Sequence, residues 1–473
     1  MIGDDKKLYL IVLSVAFASF LSRLNMYTVN ISLPTISHVF NIGTGEASRI
    51  VTVYLLVITC FLMFFGKLGD RTGQKNMFIA GYGVFILGSL FCGISIGITT
   101  LTIARTIHGL GSSMLLAASF AIIARVVPEN KLGWAFGINA SATALGVAAG
   151  APLGGIIAEY LSWRGVFLIN VPLGIGAIIC AHIFIPSSVR DHDKASAGFM
   201  RKFDFHGVIL SFIALSSLFY CNIIGNKYGW ISFPTFASIG VFLLALFLFI
   251  THEKRHEDPL LDLGTLKNSK FTFALSATMT AYMLIAGNSF LLPFYLELIK
   301  GLNPSGTGMI LLVYSLIYVF VSPYAGKLSD KRNPGILCVV AMAAATINTL
   351  AFSYSIKSEG LIPVIIFLAM FGFSYVFFLS PINNMAMSCA SKGKEGMASG
   401  LLNTAINLSM VFGVAIFENV FIDSLGNFAP KGVNLRQLNI PQFILLDGFS
   451  HAYVAGGIMC LSAMFFAFFA KKR

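Results

Sequence analysis

The sequence predicts an all-α membrane protein with 14 transmembrane helices, and three observations predict it. Hydrophobic residues occupy 56% of the 473 positions. Asp, Glu, Lys and Arg together supply only 11%, against roughly 25% in soluble domains. The apolar residues also gather into runs of about 20, the length a helix needs to cross a hydrocarbon core ~30 Å thick. So few charges cannot coat a globule of this size, and lipid is the solvent that suits the surplus apolar surface.

Fourteen runs are read, at 8–34, 48–68, 76–97, 99–125, 133–158, 163–186, 205–224, 232–251, 270–297, 306–328, 334–355, 360–382, 395–421 and 450–470. The first follows seven mostly polar residues and is interrupted by Ser22, Arg23 and Asn25. No small-residue cleavage site follows it, so it is expected to be a retained spanning helix rather than a leader. An even count puts both termini on one side. Of the 32 Lys and Arg, 23 fall in the segments on that side, seven on the other, and Arg23 and Arg105 within spans. Basic residues mark the cytoplasmic face, so both termini are expected to be cytoplasmic in a plasma (inner) membrane. The segments 187–204 and 252–269 read as polar linkers, and 422–449 as the longest stretch outside the membrane. None is long enough for a soluble catalytic domain.

The net charge of +12 does not point to nucleic acid, because the basic residues are scattered through short connections instead of gathered on one face. Seven cysteines lie singly, and no CxxC or Cys/His spacing is evident, so neither a disulfide framework nor a zinc site is expected. There is no phosphate-binding GxxxxGK[ST] loop, and no set of paired acids or nucleophile with base at one depth. The expectations are no cofactor, no metal, no enzyme activity, lipid as the surrounding partner, and a monomer.

Two short turns repeat. Gly66-Lys67-Leu68-Gly69-Asp70-Arg71-Thr72-Gly73-Gln74-Lys75 follows the second run, and Gly326-Lys327-Leu328-Ser329-Asp330-Lys331 follows the tenth, 260 residues later. The glycines permit a tight turn and close helix approach. Asp70 is expected where the next helix begins, a place that favours a carboxylate. Equivalent turns in two halves imply six helices, a two-helix insert and six more. The corresponding division is 1–188 for an N-terminal bundle, 189–258 for the insert with its linker, and 259–473 for a C-terminal bundle. The first turn resembles the loop signature of the major facilitator superfamily, and the second resembles its weaker copy. The resemblance implies the major facilitator fold, two pseudo-symmetric halves (6 + 2 + 6) with a central site between them. It also assigns Gly66, Asp70, Arg71, Gly73, Lys75 and Asp330 to conformational gating.

Further stretches resemble the fourteen-helix drug–proton antiporters of that superfamily, which include tetracycline and quaternary ammonium exporters. Leu24-Asn25-Met26-Tyr27-Thr28 through Ser32-Leu33-Pro34 is similar to the first-helix pattern, with Asn where those proteins carry Asp. Arg105-Thr106-Ile107-His108-Gly109 is similar to the fourth-helix Arg-x-x-Gln-Gly. Gly146 to Gly155 resembles the antiporter signature, with Pro152 one position late. Trp163-Arg164 through Asn170-Val171-Pro172 resembles the opening of the sixth helix. The matches cover the N-terminal half well and the C-terminal half loosely.

Ala142, Gly146, Gly150 and Gly154 recur every four residues and give one helix face small side chains. A neighbouring helix can approach such a stripe backbone to backbone, and Pro152 loosens the helix locally. Tight packing and a hinging or sliding role both fit.

Charges within spans are costly and normally face water, a partner or a substrate. The resemblance implies that Arg105 faces the residue at position 25 across the cavity. With Asn25 there, three arrangements are open: Arg105 hydrated, paired with Glu297 or Glu418, or neutralised by an anionic solute. Arg23 and Arg49 add positive charge to the same half. His108, one turn after Arg105, is a candidate proton carrier because its ordinary pKa is near 6.5; a structural histidine is the alternative. Glu297 and Glu418 are further proton-coupling candidates. Tyr27, Asn30 and Tyr54 join Arg23, Asn25 and Arg105 as candidate solute contacts. Tyr282, Asn288, Tyr314, Tyr375, Asn383, Asn384, Asn403 and Asn407 either line a cavity or bond between helices. The expected activity is secondary active transport of a small organic solute by alternating access, as proton-coupled efflux of drug-like compounds. The alternative is an organic-anion or metabolite carrier with a positive cavity; a membrane-embedded enzyme is disfavoured.

Overall fold

In lipid a backbone finds hydrogen-bond partners only within its own segment, so long apolar runs fold as helices. The computed structural model describes residues 4–128, 131–186, 204–228, 231–256, 268–331, 333–388, 395–428 and 440–471. No strand occurs among them. The helices are α1 (Asp4–Phe40), α2 (Thr44–Thr72), α3 (Gln74–Gly93), α4 (Ile98–Val126), α5 (Leu132–Tyr160), α6 (Trp163–Leu168), α7 (Asn170–Phe184), α8 (Phe205–Tyr228), α9 (Phe233–Glu253), α10 (Ser269–Leu298), α11 (Pro304–Lys331), α12 (Pro334–Ser355), α13 (Ile362–Ser388), α14 (Glu395–Leu425) and α15 (Gln442–Lys471).

Among the described residues, thirteen spans are long and apolar enough to cross a membrane, with α6 and α7 together forming one of them. The seventh expected run is α8, whose described apolar part, His206–Cys221, is shorter than the rest. The sixth run is interrupted at Ile169, between α6 and α7. Pro172 explains the break: it has no N–H for the Leu168 carbonyl, and its ring crowds that carbonyl four residues back.

Two expectations about helix ends are corrected. Asp70 lies in the last turn of α2, not at the start of the next helix, because α2 continues to Thr72 and Gly73 alone separates it from α3. Gly73 has φ 89°, a left-handed conformation that glycine adopts without steric cost. The stretch 422–449 is also shorter than expected. The helix α14 continues to Leu425, and α15 begins at Gln442, because the early turns of α15 still have apolar surface to bury. Phe449 packs on Phe421 at 4.5 Å and on Tyr295 at 5.3 Å between ring centroids.

Packing groups the chain into two compact units that cut across α1, α2 and α5. The first comprises 1–26, 53–147 and 164–261; the second comprises 27–52, 148–163 and 262–473. In the first unit α3 lies tightly on α4, with Gly88 against the His108 backbone and Gly111 against Phe85. Ser89 Oγ bonds the Phe167 carbonyl at 2.8 Å, and Asn170 Nδ2 reaches Ser89 at 3.1 Å, fastening α6 and α7 to α3. In the second unit an aromatic core joins α12, α13 and α15: Phe352 stacks on Phe367 at 4.2 Å, and Tyr453 meets Phe352 edge-on at 4.8 Å.

Candidate functional site

The buried arginine of the first unit is answered by an amide and an aromatic face. Arg105, fully buried in α4, donates from Nη1 to Asn25 Oδ1 of α1 at 2.9 Å. Its guanidinium lies 4.1 Å from the centre of the Tyr54 ring and 5.7 Å from that of Phe167. Tyr54 is held by a 2.7 Å hydrogen bond between its hydroxyl and Ser112. The same Nη1 is 3.2 Å from His108 Nδ1. A guanidinium only donates, so Nδ1 is the acceptor and the ring proton of neutral His108 sits on Nε2. That Nε2 is buried without a hydrogen-bond partner, and the ring packs on Phe85 at 4.3 Å. Four residues named from the sequence, Asn25, Tyr54, Arg105 and His108, thus meet in one network. Ser112 and Phe167 join it; Phe167 lies in the Trp163–Pro172 stretch read by resemblance, whereas Ser112 carries no signal in the sequence. Arg23 is half-buried on α1 and faces α5 at Gly146.

The second unit holds a recess lined by Tyr27, Ile31, Ala151, Asn288, Ser289, Tyr314, Ser315 and Phe371, with Ile285, Leu311 and Leu368. It measures about 440 Å³ counting the open space at its mouth, and leaves about 30 Å³ in which the centre of a water molecule can move. That is room for a few waters rather than for an organic solute, so an organic solute fits only if the walls part. Its described lining carries no Asp, Glu, His, Lys or Arg. Tyr314 packs near Phe371 at 5.4 Å and near Tyr318 at 6.2 Å. Asn288 Oδ1 accepts from the Tyr453 hydroxyl at 2.8 Å, which leaves its amide N–H groups to serve the recess. Asn30 Nδ2 donates to Ser289 Oγ at 2.9 Å, and Asn30 Oδ1 is buried with no partner. Tyr375, by contrast, spends its hydroxyl on the Ala281 carbonyl at 3.0 Å, an interhelical bond.

The expected close approach along α5 is present. A Cβ on Gly146 would stand 2.5 Å from the Phe20 carbonyl, and one on Gly154 would stand 2.6 Å from Thr28 Cα. Both contacts are to α1. On its other side α5 meets α11, with Gly155 against Pro304 and Gly308 against Ala151. Gly150 is buried, and Pro152 lies within the continuous helix.

Charges at helix ends hold this part of the molecule together. Glu159 at the end of α5 accepts from Asn303 Nδ2 at 2.9 Å and from the Ser305 N–H at 3.1 Å, in the first turn of α11. Glu418 of α14 is buried beside the first turn of α2, where a Cβ on Gly45 would lie 2.6 Å from its Oε1. A carboxylate is favoured at both places because helix N-termini carry free N–H groups and positive partial charge. Glu297 is buried in the last turn of α10. Lys75 is buried and donates to the His182 and Ile185 carbonyls at 2.9 and 2.5 Å, capping the C-terminal end of α7. Gly66 lies in α2 with open space beside it. The side chains of Asp70, Arg71 and Asp330 lie outside the described residues.

The sequence profile of the Major Facilitator Superfamily matches residues 15–414. The chain is 32% identical over 421 residues to the riboflavin transporter RibZ of Clostridioides difficile, covering 89% of this chain and 90% of that protein. It is 26% identical to the multidrug resistance protein Stp of Mycobacterium tuberculosis, over 87% of this chain and 75% of that one. With the drug efflux pump JefA of the same species it shares 27% identity over 89% and 82%. Among solved structures, a bacterial homologue of the human lysosomal transporter Spinster matches its fold with a TM-score of 0.71 at 14% identity, covering 99% and 98% of the two chains. A POT family transporter in complex with a thioalcohol-conjugated peptide matches with a TM-score of 0.68 at 15% identity, covering 95% of each. With the helical architecture and the profile match over most of its length, the chain belongs to the Major Facilitator Superfamily of membrane transporters.

Proposed function

We propose that the chain is a secondary active transporter of planar, uncharged heteroaromatic solutes, worked by alternating access around the recess of the second unit. The observation that carries this reading is the recess lining: Tyr27, Tyr314 and Phe371 supply ring faces, and Asn288, Ser289 and Ser315 supply hydrogen bonds without a titratable group. Stacking on a ring contributes about 0.5–1.5 kcal/mol beyond area burial, and a few fixed polar groups set orientation. A riboflavin transporter among the relatives supports the same solute class, since riboflavin is a neutral fused-ring heterocycle. In this reading 1–188 and 259–473 are the two rocking halves and 189–258 is an insert. The chain acts as a monomer in the plasma membrane with both termini cytoplasmic, an orientation supported by the Lys and Arg distribution. Glu159 and Glu418 hold the side opposite the termini closed, and the cycle must release them.

A second reading, proton-coupled efflux in the manner of the fourteen-helix antiporters, draws support from the relatives named as multidrug and drug efflux proteins. In it Glu297 or Glu418 carries the proton. His108 can take a proton only after its bond to Arg105 breaks, because protonating Nδ1 beside a guanidinium would set two buried cations against each other.

Transport into proteoliposomes separates the readings. We expect riboflavin and similar neutral heterocycles to be carried, to compete with one another, and to lose most of their flux in Tyr314→Ala. If cationic dyes are carried with a stoichiometric proton flux and neutral heterocycles neither move nor compete, the first reading is wrong and the second stands.

A further inference from the structure

The pair α8 and α9 carries a cluster of ligating side chains that takes no part in the recess or the Arg105 network. Asp204 sits just before α8, where its Oδ1 accepts the Gly207 N–H at 2.7 Å. The same oxygen lies 2.5 Å from His252 Nε2, 48 residues away at the end of α9. His256 follows one turn later, its N–H bonded to the His252 carbonyl at 3.0 Å and its ring 5.3 Å from that of His252. One donor atom from each of Asp204, His252 and His256 lies within 4.8 Å of the other two.

An independent observation concerns the second oxygen of Asp204. Its side chain is 0% exposed, and Oδ2 is buried without a hydrogen-bond partner. That oxygen turns toward Gly207, where the buried Glu253 also brings Oε1, 2.7 Å from the point a Cβ would occupy. Two buried carboxylates that converge repel one another unless a proton or a cation lies with them. Glycine at 207 leaves the space open.

We propose that Asp204, His252 and His256 bind a first-row divalent cation, zinc fitting best, with the remaining position open to Glu253 or water. Two imidazoles one helical turn apart present their nitrogens on one face. Two imidazoles and a carboxylate form a donor set that zinc takes tetrahedrally at about 2.0–2.2 Å. Bonds of that length bring donor atoms to about 3.4 Å from one another. The half-exposed histidines can close that gap by turning. His206, exposed with its ring 5.8 Å from His252, is not required. The cation would fasten the start of α8 to the end of α9, a role independent of which solute is carried.

The test uses untagged full-length protein, stripped with chelator and titrated with Zn²⁺ against a chromophoric competitor. Cobalt substitution reports on geometry. We expect one zinc per chain and a tetrahedral cobalt spectrum. The His252→Ala/His256→Ala double variant should weaken binding at least ~100-fold, beyond the 10–100-fold typical of losing an outer-shell partner, and solute transport should be retained. His256→Asn alone serves if the double variant does not run as a single species. Zinc uptake in the wild type no greater than in the variants would overturn the proposal and leave a shared proton between the carboxylates. Equal tight binding by both would also overturn it, since the zinc would then lie elsewhere.

Discussion

Replacing Asn25 by Asp tests whether position 25 is the partner that holds Arg105. Both side chains are fully buried, and the guanidinium donates to the amide oxygen at 2.9 Å. Aspartate is close to isosteric with asparagine, so the same oxygen stays in place and the change is electrostatic. With charge centres about 4 Å apart, attraction at an effective dielectric near 20 is ~4 kcal/mol. Burying the new carboxylate costs several kcal/mol, but the positive charge is already buried there, and removing one member of such a pair typically costs about 3–5 kcal/mol. Because Asn25 already gives the guanidinium an acceptor, the gain on adding the charge is smaller than that, about 2 kcal/mol at neutral pH. Asn25→Ala, which removes the amide acceptor at 2.9 Å, should destabilise it by about 1.5–3 kcal/mol.

The assay is thermal unfolding of the purified transporter, with transport rates measured alongside. Stabilising one arrangement of a cycling protein should slow exchange, so Asn25→Asp should unfold at higher temperature and turn over more slowly. If Asn25→Asp and Asn25→Ala both leave the unfolding temperature where it was, position 25 does not hold Arg105, and the reasoning about this network fails.

Two further substitutions probe how the helices are held. Gly154→Leu puts a Cβ 2.6 Å from Thr28 Cα, so α1 and α5 must part by about 1 Å at a cost of ~1–3 kcal/mol; transport should fall much further than expression, as read by flux per folded molecule. Lys75→Met strips the α7 carbonyls of His182 and Ile185 of their donor and should cost about 1–3 kcal/mol. Lys75→Arg should recover part of that loss in an unfolding measurement, whereas a lysine serving only as a surface charge would show no loss to recover.

What the sequence made legible follows from the range over which residue spacing carries information. Run length placed most span ends within about four residues, because each helix satisfies its own backbone; the end of α1, the end of α13 and the start of α15 lie further out than the runs implied. The four-residue recurrence of Gly146, Gly150 and Gly154 correctly announced a close approach along α5. Pairing across the fold was a different matter. Asn25 and Arg105 were brought together by a family resemblance, and the spacing of 80 residues offered no hint that an amide and the Tyr54 ring would suffice. Lys75 read as a turn cation, since nothing near it in sequence says that α7 ends beside it. The recess draws on Tyr27, Ala151, Asn288, Tyr314 and Phe371, which sit in five helices. Tyr27, Asn288 and Tyr314 stood out as unusual within spans, but Ala151, Ser289, Ser315 and Phe371 are ordinary membrane residues. His252 and His256 drew no notice in the sequence, where no metal site was expected, because Asp204 is placed against them only by the folding of α8 onto α9.

The helix-end charges divide by what they would do during transport. Lys75 is buried and serves two carbonyls of a helix in its own unit, so it behaves as a fixed cap. Glu159 and Glu418 join α5 to α11 and α14 to α2, within the second unit, through contacts at helix N-termini. The Glu159 bonds are exposed to solvent, where such interactions contribute no more than about 1 kcal/mol each. A solute that stacks on Tyr27, Tyr314 and Phe371 gains a comparable ~0.5–1.5 kcal/mol per ring. A ligand shifts a conformational equilibrium only by its difference in affinity for the two states. The exposed Glu159 clasp lies within reach of such a difference, whereas a fully buried ion pair in its place would not. With only about 30 Å³ in which the centre of a water molecule can move, the recess walls must separate before an organic solute fits, and in the proposed cycle the stacking gain and the release of the clasps occur in the same step.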